Sequence, residues 1–190
     1  SRINTEPYLQ PHSDIVALMV LEHQAHMQSL ITRAAYEARS ATWYDSVMNE
    51  ALERPEDYIS DTTTRRIDSA SNDLVKYLLF CDETQLTAPI QGTSGFTEEF
   101  TTRGPRDNEG RSLREFDLER RLFKYPCSYM IYSDAFTELP PQVLARVYHT
   151  LGEVLSGKNH DPAFDHLSAE DRKAILEILR ETKEDLPEEW

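Results

Sequence analysis

Apolar residues recur at helical spacing over most of the chain. From Asp14 to about Ser40 there is no Gly or Pro, and Ile15, Met19, His26 and Leu30 share a face with Val16, His23, Met27 and Ala34 at about 100° per residue. Ser13 has the chemistry of an N-cap, and Asp14 adds negative charge to the first turn. A short second helix is predicted over residues 43–53, closed by Pro55, and a third from about Thr62 to Asp82, with Ile67, Ala70, Leu74, Tyr77, Leu78 and Cys81 on one face. Residues 113–125 suit another helix ending before Pro126, and the aromatic run Cys127 to Phe136 is read as helix for want of a partner strand. Pro141 fits a first helical turn, Val143, Val147, Leu151 and Val154 form the stripe that follows, and Gly157 suits its end. Ser168 and Asp171 resemble a capping box before a last helix with Ala174, Ile175, Ile178 and Leu179 inward.

Two stretches break the pattern. Residues 1–12, with Pro7 and Pro11, read as an arm. Residues 84–112 hold Pro89, Gly92, Gly95, Gly104, Pro105 and Gly110 and read as a long loop, an unusual length unless it has a function or is mobile. The expectation is an all-α, irregular bundle of about five to seven helices, one domain over 1–190, with a long irregular crossing segment.

At 190 residues, 39% hydrophobic and 28% charged, the chain can bury an ordinary core without disulfides or metal. The net charge of −14 argues against nucleic acid and anionic membranes as partners, since both require a basic surface. No apolar run is long enough for membrane insertion. The first residue is Ser1, which suggests an excised domain or processed chain. Cys81 and Cys127 are expected as buried thiols, with pairing in an oxidising compartment as the alternative.

The first helix carries the most chemistry. Glu22 and His26 are one turn apart beside His23, and Arg33 and Glu37 continue the same side. Imidazole and carboxylate together suit zinc or iron, but a di-iron bundle needs a second Glu-x-x-His pair, and none is present. His149 and Glu153 have the right chemistry but fall opposite their helix's apolar stripe. The leading reading is a buried hydrogen-bonded network with both imidazoles inward; a metal site and a ligand pocket are the alternatives.

Arginine concentrates between Arg103 and Arg121. Arg106, Arg111 and Arg114 are the anion-binding candidates, because guanidinium forks match carboxylate and phosphate, while interleaved Asp107, Glu109, Glu115, Asp117 and Glu119 favour self-pairing. Cys127, in aromatic company, reads as inert. No Cys-x-x-Cys-His, His-Glu-x-x-His, Gly-x-Ser-x-Gly or P-loop pattern occurs, and no cofactor is assigned; non-covalent haem through His23, His26, Met19 or Met27 is compatible with the residue types but not required.

Three stretches carry a family resemblance: HSDIVALMVLEHQAHMQSLITRAAYEAR, GRSLREFDLERRLFKYPCSYMIYSDAF and LPPQVLARVYHTLGEVLSGK. Together they resemble the C-terminal part of a family of larger, uncharacterised bacterial proteins whose upstream region looks like an exported c-type-cytochrome-like module. The resemblance implies an extracytoplasmic, periplasmic location and an upstream domain of the same protein as partner. It implies no catalytic residue and no oligomeric state. The expected function is a non-catalytic accessory or interaction domain making contact through the aromatic run and the long loop. The alternative is a metal- or ligand-binding domain or redox enzyme built on Glu22, His23, His26 and Arg33.

Overall fold

In the computed structural model, which describes residues 4, 6, 13–187 and 190, the first periodic run continues without a break as one helix, α1, Ile15–Ala51. Its 37 residues span roughly 55 Å at 1.5 Å per residue. Most of the arm predicted over 1–12 lies outside the described residues.

The inner face of α1 steps by three and four residues through Val16, Val20, His23, Met27, Ile31, Ala34, Ala38 and Ala41, all buried. The separation predicted between residues 40 and 43 does not occur. The apolar pattern stops there because the next inner positions are Asp45 and Asn49, polar yet only 4% and 2% exposed. Both bind the turn that follows: Asp45 accepts from the Ser60 amide at 2.8 Å, and Asn49 donates to the Tyr58 carbonyl at 2.8 Å. The N-cap is Asp14 rather than Ser13. Its carboxylate accepts from the amides of Val16 and Ala17 and, across the chain, from those of Thr93 and Ser94.

Ser60 caps α2, Asp61–Leu78, which runs antiparallel to α1, since Glu37 pairs with Arg66, Arg33 with Asp73, and His23 stacks on Phe80. After a long irregular segment come α3, Phe96–Thr102, a 3-10 turn at Tyr129–Tyr132, and α4, Asp134–Thr137. The helix α5, Pro141–Leu155, packs on α2, and α6, Ala169–Thr182, packs on α5. Pro141 does open α5, Gly157 follows it at φ +74°, and the Ser168–Asp171 capping box is formed. Arg172 ties α5 to α6 by donating to the carbonyls of Val154, Phe164 and Leu167. His149 and Glu153 lie on the solvent side of α5.

Six α-helices and no strand occur among the described residues, so the fold is all-α. No helix of these residues is long and apolar enough to cross a membrane.

The segment between α2 and α5 departs from expectation in two places. The helix predicted at 113–125 does not form. There the chain doubles back, with Phe116 bridged to Phe123, Asp117 accepting the amides of Glu119 and Arg120, and Leu118 at φ +59°. Arginine and glutamate favour helix intrinsically, but the Asp117 carboxylate satisfies a turn backbone instead, and Leu113, Leu122 and Phe123 are buried without helical spacing. Residues 84–112 are not bare loop either. They contain α3 and are fastened at Leu86 and Ile90, whose amides donate to the carbonyls of Arg120 and Leu118. The aromatic run is helical as expected, but in two short pieces, because Ser133 ends the 3-10 turn and caps α4.

Candidate functional site

The polar line on α1 is divided by the structure. His23 points inward, 4% exposed, with Nε2 2.7 Å from Ser128 Oγ. That hydroxyl also accepts the Met130 amide, so its own proton is available to the imidazole. The ring stacks on Phe80 at 4.6 Å and Tyr77 at 5.2 Å, and Tyr77 stacks in turn on His26 at 4.3 Å. Burial, and then the neighbouring His26, push the His23 imidazole down to about 4, so it is neutral near pH 7. Burial and the Glu22 and Glu83 carboxylates push the Tyr77 phenol up to about 12.

The expectation that both imidazoles face the interior is corrected for His26. Three residues on from His23, it is turned to the surface, where it covers Tyr77. Glu22 is exposed, Arg33 pairs with Asp73, and Glu37 pairs with Arg66 along the α1–α2 seam. These five residues therefore do not converge on one point. Among the described residues no group of three His, Cys, Asp or Glu side chains is placed to hold a metal ion.

The arginine segment resolves into two kinds of site. Arg111 is clamped by Asp107 at 2.6 Å and Glu177 at 2.9 Å, and Arg106 bonds the Gly110 and Thr101 carbonyls beside Glu115. Burial works against the Asp107 carboxylate, but the Arg111 hydrogen bonds and charge outweigh it and hold the carboxyl below its usual value. These two arginines are structural. Arg114 differs. Its guanidinium lies 4.6 Å from the centre of the Phe100 ring and 4.4 Å from that of Tyr129, and burial lowers its pKa below the ordinary arginine value. Arg114 borders a groove of about 650 Å³ between α1, α3 and the 3-10 turn, with Val20, Leu21, Gln24 and Met130 also in its walls. Phe100 went unrecognised in the sequence because it lay inside a stretch read as loop. The signal was present in Ser94 and Gly95, ahead of Phe96, Glu98, Glu99 and Phe100, which have the pattern of a helix start with aromatics one turn apart.

A second cleft of about 710 Å³ lies at the end of α2, bordered by Phe80, Asp82, Glu83, Arg121, His166 and Asp171. It holds more titratable groups, yet Glu83, Arg121, Asp171 and His166 are already engaged, and of their buried side-chain atoms only Arg121 Nε is left without a partner. Glu83 accepts the Leu122 amide at 3.0 Å, Arg121 pairs with Asp171 at 2.6 Å, and His166 Nε2 is 2.8 Å from the Leu79 carbonyl. Burial raises the Glu83 carboxyl, with the Leu122 amide and Arg121 opposing. Both cysteines are free thiols. Burial pushes Cys127 up to about 12, and burial followed by Asp82 pushes Cys81 up to about 11, so neither is a thiolate near neutral pH.

The outer face of α1 is the other distinctive surface. Leu18, Tyr36, Trp43 and Val47 fall within a narrow arc about 180° from Met27, at 100° per residue. All four are exposed, Trp43 by 69% and Tyr36 by 67%. The arc between them holds Ala25 and Ser29, and it is flanked on its two sides by Thr32 and Arg39 and by Ser40, Glu22 and Arg33.

No family model matches the chain, and neither a curated protein nor a solved structure matches it significantly.

Proposed function

We propose that this is a non-catalytic interaction domain that docks a neighbouring domain of its longer protein along the outer face of α1. The observation that carries this reading is the narrow line of exposed Leu18, Tyr36, Trp43 and Val47 down one side of α1, uncharged within its own arc and flanked by Glu22, Arg33 and Arg39. Exposed aromatic and apolar side chains aligned on one helix side suit an interaction surface, and Trp and Tyr are the residues that most often anchor one. A second copy of the chain would bring another charge of −14, so like-charge repulsion favours a different, less acidic partner. The family resemblance supplies the candidate, the exported c-type-cytochrome-like module upstream, and with it an extracytoplasmic setting. The aromatic run and the long loop are not the docking surface in this reading, because most of their aromatic side chains are committed to the core.

The test is Trp43→Glu with Tyr36→Glu in the full-length protein. The radius of gyration from small-angle scattering is expected to rise as the domain detaches. In the isolated 190-residue chain the two changes should shift stability by no more than about 0.5 kcal/mol each, as for surface sites without partners. The proposal fails if scattering is unchanged, or if the isolated chain already seals this face in a stable homodimer.

A further inference from the structure

We infer that the groove at Arg114 binds a small organic anion, a carboxylate or phosphate carried on a flat or aliphatic apolar body. The inference is independent of the docking proposal.

It rests first on hydrogen-bond accounting. Among the described residues the half-buried arginines are Arg66, Arg111, Arg114, Arg121 and Arg172. Arg66, Arg111 and Arg121 reach carboxylates, and Arg172 reaches backbone carbonyls. Arg114 alone has no side-chain acceptor; the bond it makes to Ser112 comes from its backbone amide. A guanidinium carries five donors, and those of Arg114 have no acceptor among the described residues while remaining open to solvent rather than sealed in the core. The chain has 34 acidic residues for 20 basic ones, so a carboxylate partner was available in composition and is absent in place.

The surroundings point the same way. No Asp or Glu lines the groove; of the two arginines that do, Arg103 is paired with Glu99 and Arg114 alone is uncompensated. The rest of the wall is uncharged, with apolar Val20, Leu21 and Phe96, amide Gln24, and hydroxyl-bearing Tyr132 and Ser133. This is a local positive field in an acidic protein, next to a surface suited to carbon rather than water. The volume of about 650 Å³ falls in the usual range for small-molecule sites.

Arg114 is also held in place before any ligand arrives. The Phe100 and Tyr129 rings meet at 81° and form a corner for the guanidinium. Tyr129 is itself fixed by its hydroxyl, which donates to Gln24 Oε1 at 3.0 Å. Gly104, at φ +84°, passes so close that a Cβ there would lie 2.9 Å from Arg114 Nε. Cation–π contacts occupy no N–H acceptor position, so the donor fork stays available.

The experiment titrates benzoate, hexanoate and phenyl phosphate into the isotopically labelled protein and follows the arginine Nε–H and aromatic NMR signals. Inorganic phosphate and benzyl alcohol are the controls. At least one organic anion should give saturable shifts of the Arg114, Phe100 and Tyr129 signals below about 10 mM, the range of weak binding. Arg114→Gln should weaken that binding about tenfold or more, the scale of a lost charge-assisted pair. Arg120→Gln, at an exposed arginine paired with Asp117, should leave it unchanged. If Arg114→Gln does not fold, Arg114→Lys replaces it, and a several-fold loss is expected because the ammonium keeps the charge without the fork. The carboxylate and phosphate arms tell the two head groups apart. Absence of saturation, equal binding by benzyl alcohol, equal binding by inorganic phosphate, or an unchanged affinity in the folded Arg114 variant would each overturn the inference.

Discussion

The four long helices and the segment between α2 and α5 contribute to one hydrophobic core by different means. In the helices a step of three or four residues decides what is inside, and the backbone satisfies itself. In the crossing segment burial follows no period: Leu113, Leu122, Phe123, Cys127, Ile131 and Phe136 are at most 4% exposed. Carboxylates satisfy much of the backbone there. Asp14 takes the Thr93 and Ser94 amides, Glu83 that of Leu122, Asp107 those of Glu109 and Arg111, and Asp117 those of Glu119 and Arg120. Hydrogen bonds to charged groups contribute about 1.5–3 kcal/mol each, against about 1 kcal/mol for neutral ones. Part of the chain's acidity is therefore structural, standing in for the ladder that an irregular segment lacks.

The largest effect is expected where the two regions are joined, at His23. His23→Ala removes the stack on Phe80 and leaves Ser128 with a lost partner, and should lower the unfolding free energy in urea by about 2–4 kcal/mol. The pH dependence has a definite sign. An imidazole lowered from 6.5 to about 4 contributes stability that is complete above pH 6.5 and is lost as pH falls toward 4. The loss over that window should be about 3 kcal/mol in the parent chain, at 1.36 kcal/mol per unit. It should be absent in His23→Leu. A parent curve that is flat between pH 6.5 and 4 would show that the ring is not buried as a neutral group.

A smaller and more local effect is expected at Asp107, on the irregular side of the comparison. Asp107→Ala frees the Glu109 and Arg111 amides and strands Arg111 beside Glu177, at a cost of about 1–3 kcal/mol. Hydrogen exchange should quicken over residues 107–112 more than in the α1–α2 pair. Uniform acceleration across both would mean that the two regions open as one unit. The smallest expected change is on the helical side. Ser168→Ala removes one half of the capping box of α6 and should cost about 1 kcal/mol, read as a lower urea midpoint with an unchanged slope.

The sequence was most legible where structure is local. The Ser168–Asp171 box, Pro141 at the start of α5, Gly157 after it and the stripe of α2 all follow from interactions within one or two turns, and these carry the all-α class. It misled where a distant partner decides. Asp45 and Asn49 break the apolar face where residues 43–53 read as a separate short helix, yet they continue α1, because the turn ahead of α2 needs a buried acceptor and a buried donor. Residues 113–125 have helix-forming composition, yet the Asp117 side chain stabilises a reversal instead.

The candidate sites divide the same way. Helical spacing places His23 and His26 close together, but the imidazole of one meets Ser128 and that of the other covers Tyr77 at the surface, a distinction made by which elements pack against α1. Composition and apolar periodicity together established an acidic helical chain, and the order of residues placed several arginines in one stretch. That Arg106 and Arg111 are matched and Arg114 is not was decided by tertiary structure, because an ion pair depends on which side chains meet in space, and sequence spacing beyond a helical turn carries little of that information.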